Sequence, residues 1–98
     1  MNLALACDAL KSGLRVQFTY SNALRIVEVH SAGYSKDNRP VILGWQVSGG
    51  SKSGNPSPWR NFYLDEVSNG VVLDEKSQAP RQGYAGGGRA IDRIVAEL

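Results

Sequence analysis

The apolar positions change period along the chain, and each change marks an element. Leu3, Ala6, Leu10 and Leu14 recur at helical spacing, and Gly13, which tolerates the left-handed conformation, ends that helix. From residue 15 to 20 the apolar side chains alternate. Val16, Phe18 and Tyr20 then share one face, the signature of a half-buried strand. Ser21-Asn22 makes a tight turn, and residues 24–30 alternate again as a second strand. Residues 35–39 form a polar hairpin loop. Pro40 opens a third strand over 41–48, with Val41, Leu43, Trp45 and Val47 on one face. Residues 49–58 carry no apolar side chain outside proline, which is long for a hairpin loop. A fourth strand runs over 59–64, a turn over 65–70 and a short fifth strand over 71–73. Residues 74–88 hold one proline and four glycines and read as a linker. Ile91, Ile94, Val95 and Leu98 then fall at i, i+3, i+4 and i+7, the spacing of a short amphipathic helix.

Five short strands with tight turns and a leading helix predict a mainly β fold. The expected form is a small five-stranded SH3- or Sm-like barrel with an N-terminal helix and a short C-terminal helix after a Gly-rich linker. An open five-stranded sheet covered by the first helix is the alternative. Residues 1–75 make the barrel unit, and residues 76–98 the linker and terminal helix. A helix of that length is marginal alone, so it docks on its own barrel or on a partner subunit, the second arrangement giving a homo-oligomer by exchange.

Composition narrows the chemistry. In 98 residues, 11 Lys and Arg face 9 Asp and Glu, for a net charge of +2, too little for a general nucleic-acid coat. Between Arg25 and Arg60, however, five basic residues face two acidic ones, a local excess suited to an anion site. The one cysteine and one histidine exclude a disulfide framework and a Cys/His metal cluster within the chain, and suit a reducing cytoplasm. The first ten residues lack a basic run and are interrupted by Asp8, so a secretory signal is not expected. No apolar run reaches the ~18 residues of a membrane span. A Cys7–His30 pair is the sole nucleophile–base combination, and the helical setting of Cys7 beside Ala6 and Leu10 favours an inert buried thiol. Asp65-Glu66 and Asp74-Glu75 are sequence neighbours that a strand would point to opposite faces. No enzyme, metal or cofactor is therefore expected.

The candidate ligand-binding residues are His30, Arg60, Arg25, Trp45, Tyr34 and Trp59. Aromatic rings offer faces to bases and arginines offer forks to phosphates. Trp45 also fits a core position by periodicity, and Arg25 a solvated one. Arg60 shares a parity with Phe62 and Leu64, so it projects from the end of an apolar face and calls for an anion: Asp65, Glu28 or a ligand.

These residues carry a resemblance. Arg60-Asn61-Phe62-Tyr63-Leu64-Asp65-Glu66-Val67 resembles the closing Arg-x-Phe-x-Leu-Asp-Arg-Ile segment of the WYL domain, matching at Arg60, Phe62, Leu64 and Asp65. Residues 14–20 are similar to the strand that leaves the family's helix and ends in tyrosine. Residues 25–30 resemble its second strand, with Val29 where a proline is usual. The family's Trp-Tyr-Leu aligns with Val41-Ile42-Leu43, and Glu66 stands in place of an arginine. The likeness covers about residues 3–75. It implies an Sm-like barrel that senses a nucleotide or a short single-stranded nucleic acid in a basic groove, with His30 and Arg60 retained. Members occur in bacterial transcription regulators and in phage-defence systems. This chain has no helix-turn-helix of its own, so the resemblance implies a stand-alone sensor. A protein-interaction module using the groove or the C-terminal helix is the rival expectation.

Overall fold

A computed structural model describes residues 1–50, 57–86 and 88–98. Most of the 49–58 loop and the middle glycine of Gly86-Gly87-Gly88 lie outside the described residues. Helix α1 (Leu3–Ser12) begins where the Asn2 side chain accepts the Leu5 N–H and ends at Gly13, whose φ of 68° permits the closing amide bonds to Ala9 and Leu10. Six strands follow: β1 (Leu14–Tyr20), β2 (Ala23–Tyr34), β3 (Pro40–Gly49), β4 (Trp59–Tyr63), β5 (Val67–Lys76) and β6 (Arg93–Glu97). Ser21 and Asn22 both take positive φ, 50° and 62°, the geometry of a two-residue hairpin whose twist matches its strands. A 3₁₀ turn, Leu64–Glu66, carries the chain from β4 to β5. No helix among the described residues is long and apolar enough to cross a membrane.

The strands form one antiparallel sheet in the order β4-β3-β2-β1-β5, with β6 also on β2. Among the described residues it has six strands rather than five, and it is not closed into a barrel, since β4 and β5 stay at opposite edges. The length of β2 accounts for the extra strand. Its twelve residues pair with β1 over Ala23 to Val27, leaving Ser31 to Tyr34 free on that side for β6.

The expected C-terminal helix is therefore a strand. Ile91 is 8% exposed, but Ile94, Val95 and Leu98 are about half exposed, so no amphipathic stripe is used. Joining β2 satisfies backbone groups that a short isolated helix would leave open, and β-branched Ile94 and Val95 suit a strand. At Gly33 a Cβ would collide with the Arg93 carbonyl, so the missing side chain lets β6 approach. The fifth strand is longer than 71–73 because it follows β1 through two register shifts.

Residues directly opposite on paired strands share a face, which divides the sheet in two. On one face Val16, Phe18, Val27, Val29, Ala32, Ile42, Phe62 and Leu64 pack with Ala6, Cys7, Ala9 and Leu10 of α1. Phe62 meets Phe18 and Tyr20 edge-on, at centroid distances of 4.9 and 5.1 Å. The other face carries Glu28, His30, Leu43, Trp45 and Trp59. Residues 77–86, expected as a linker, lie across it as a strap.

Candidate ligand site

The strap face starts from an irregularity in β2. Val29 pairs with Gly44 but Ser31 with Leu43, so His30 is an extra residue, a β-bulge. The bulge turns both His30 and Ser31 away from α1 and returns Ala32 to it. Glu28, two residues earlier, shares the face of His30. Both side chains are fully buried, a placement that requires partners.

The strap supplies them. Glu28 accepts from Arg81 at 2.7 and 3.3 Å, from Arg15 of β1 at 3.0 Å and from the Gln78 amide at 2.8 Å. Burial alone would raise its pKa, but these donors outweigh burial and hold the carboxyl below its usual range. The Arg81 amide donates to His30 Nε2 at 2.9 Å. The neutral ring is thereby the Nδ1–H tautomer, which donates to the Glu28 carbonyl at 3.0 Å. Burial holds the imidazole pKa below its ordinary value. The Tyr84 hydroxyl donates to the His30 carbonyl at 3.1 Å.

Rings fill the remaining space. His30 meets Trp59 edge-on at 4.7 Å and Tyr84 at 5.1 Å; Trp59 meets Trp45 at 5.2 Å. The Arg81 guanidinium lies 5.0 Å from the Trp45 ring centre. Trp59 and Tyr84 run within 23° of parallel, 6.2 Å between centroids. Beside them a pocket of about 210 Å³ is lined by Leu43, Trp59, Gly83, Tyr84, Ala85 and Gly86. Comparison with protein-family models, curated proteins and solved structures gave no match.

The six residues singled out in the sequence thus fall into three groups. His30, Trp45 and Trp59 come together under the strap, where Trp45 lies outside the α1 core. Arg25 and Arg60 come together on the other face, at the open end of that core. Arg25 is 3% exposed, packs on the rings of Tyr20 and Phe62, and bonds Gln46 and the Tyr20 carbonyl. Among the described residues its Nε has no hydrogen-bond partner, and burial first, then the charge of Arg60, lowers its pKa. Of the acids weighed for Arg60, Asp65 bonds Arg39 and Glu28 lies on the opposite face. Tyr34 stands apart at the far end of β2, under the Arg93 guanidinium at 4.6 Å.

Arg81 and Tyr84 fall within residues 74–88, where the sequence predicts only a linker. One signal pointed to them. A glutamate and a histidine on one face of a β-branched strand need partners, and residues 74–88 hold one arginine and one aromatic ring. Cys7 lies in the α1 core, across the sheet from His30, with its thiol pKa pushed up by burial, so the two form no nucleophile–base pair. Among the described residues no group of three His, Cys, Asp or Glu can hold a metal.

Proposed function

We propose that this protein is a non-enzymatic binding module for a ligand that joins a planar ring to an anionic group, a nucleotide or a short single-stranded nucleic acid. The observation that carries the reading is the pocket walled by Trp59 and Tyr84 with Leu43 beneath. The Trp59 and Tyr84 rings stack on each other, and the aromatic surface they present to the pocket beside them favours a flat ring, because base–aromatic stacking uses the π-face that every base has. In this reading Trp59, Tyr84 and Leu43 touch the ring, while His30 and Trp45 brace the walls. Trp59 and Arg60 are neighbours on β4, an edge strand. Their side chains leave by opposite faces, so a ligand that bends round this edge meets a ring first and a guanidinium next. The likeness of residues 60–67 to the WYL closing segment points to the same ligand class.

Trp45 and Trp59 make the test direct. Titration with mononucleotides and with a short oligothymidylate is expected to quench tryptophan fluorescence saturably, more weakly as salt rises. Tyr84→Phe should bind like the parent, Tyr84→Leu should lose most of the affinity, and Arg60→Gln should lose much of the salt dependence. No quenching at low salt, or undiminished binding by Tyr84→Leu, overturns the reading. So does preferential entry of a proline-rich peptide, which favours the protein-interaction alternative.

A further inference from the structure

The strap is both the outer wall of the pocket and the partner of the one histidine. We infer that His30 is a proton-operated latch: the neutral ring accepts the Arg81 amide and holds the strap closed, and protonation at Nε2 releases it. The release follows from the hydrogen bonds; that it takes apart a ligand site rests on the function proposed above.

The geometry leaves the added proton no acceptor. Nδ1 already carries the hydrogen given to the Glu28 carbonyl, so a second proton must go to Nε2, which faces the N–H of Arg81 at 2.9 Å. Acceptor then becomes donor, and two donors oppose each other. The ring is fully buried, so water cannot take the bond until the strap lifts. The groups around His30 decide the sign. On its own strand Glu28 favours the charged ring. On the strap, Arg81 opposes it and Tyr84 contributes only an uncharged hydroxyl. Arg15 of β1 is tied to Glu28, and Trp59 of β4 is neutral. On β6 Leu98 donates its amide to the His30 carbonyl, and Glu97 lies opposite Ser31. Glu28 already shares its charge among three donors, so burial governs and the closed state favours the neutral ring.

The lowered imidazole pKa agrees in direction. A base depressed in the closed state contributes stability fully above its free value. That contribution is lost as pH falls from the free value through the closed-state value, and across that window opening rises about tenfold per pH unit. Tyr84, Gly83, Ala85 and Gly86 lie beyond the latch, so lifting it removes four of the six residues that line the pocket.

NMR on the full chain without ligand tests this. His30 is the sole histidine, so its ring resonances should report the Nδ1–H tautomer at neutral pH and one titration below the usual imidazole range. Across that titration the amide protection of Arg81 should fall at least about tenfold, while the amides of Val16, Phe18 and Val27 stay protected. His30→Gln, whose amide oxygen reaches towards the Nε2 position without titrating, should keep Arg81 protected through the same range. The proposal is overturned if Arg81 stays protected below the imidazole midpoint, if core amides are lost with it, or if His30→Gln opens at the same pH. Should His30→Gln fail to fold, the parent titration alone decides. A latch that works in a chain that binds no nucleotide refutes the ligand reading only, and binding without a pH step refutes the latch only.

Discussion

The two faces of the sheet are held by different forces. Beneath α1 the contacts are apolar, their partners interchangeable and their strength proportional to buried area. Beneath the strap, Glu28 and His30 are as deeply buried as Phe18 and Phe62, but they are held by individual donors, each matched to one acceptor. An apolar face loses stability by degrees when a side chain is trimmed. A polar face loses it at named bonds, and pH can switch it. The fold stands on the first face, and the movable part rests on the second.

The largest effect should come from breaking the apolar face. Phe62 is 1% exposed and touches both Phe18 and Tyr20. Phe62→Ala should cost about 3–5 kcal/mol, against a total of roughly 5–15 kcal/mol for a chain of this size. Urea denaturation followed by far-ultraviolet dichroism should show the midpoint falling by about a fifth or more of its value. A shift much smaller than this would mean that α1 and the sheet are not the cooperative unit.

Glu28→Gln tests the polar face. The amide keeps the shape but loses the charge that Arg15 and Arg81 share, and both arginines remain partly exposed, at 17% and 22%. Each therefore recovers some hydration, and the loss should be about 2–3 kcal/mol. It should also be local: hydrogen exchange should rise at Gln78 and Arg81 before it rises in β1. The parent has a matching acid dependence. The Glu28 carboxyl is held below its usual pKa, so its contribution is present above the free carboxylate value and lost as pH falls through the folded one. A stability profile flat from neutral pH down to pH about 3 would contradict the assignment.

Much of the α1 face was legible in the sequence. Gly13 marked the helix end, and alternation placed Val16 and Phe18 together. The shared parity of Arg60, Phe62 and Leu64 described an apolar face that ends in a charge, and Phe62 and Leu64 are both 1% exposed. The strap face was hidden for two physical reasons. The bulge at His30 adds one residue to β2, so strict alternation misplaces everything beyond it and ends the strand four residues early. The second reason is distance along the chain: Glu28 and Arg81 are 53 residues apart, and no local period reports such a pair. Residues 91–98 mislead differently. Their spacing fits a helix, yet the vacant edge of β2 offers backbone partners that a short helix cannot match. The candidate site inherits the same division. His30, Trp45 and Trp59 stand out by residue type, but of these only Trp59 lines the pocket, and four of its six lining residues belong to the strap.

The smallest change sharpens the comparison most. Tyr84→Phe removes one hydroxyl, which donates to the His30 carbonyl at 3.1 Å, and leaves the ring against Trp59 and His30. If the strap is held by discrete bonds, this loss should cost about 1 kcal/mol, near the level of a single neutral hydrogen bond. It should appear as faster exchange at Tyr84 and Arg81, with the global denaturation midpoint scarcely moved. If the strap is held mainly by ring packing, exchange there should match the parent, because the aromatic contacts survive intact. The same variant run across the imidazole titration distinguishes bond from bulk once more: with one tie already gone, the strap should open at a higher pH than in the parent. An unshifted midpoint would assign the closing force to the rings rather than to the bonds at His30.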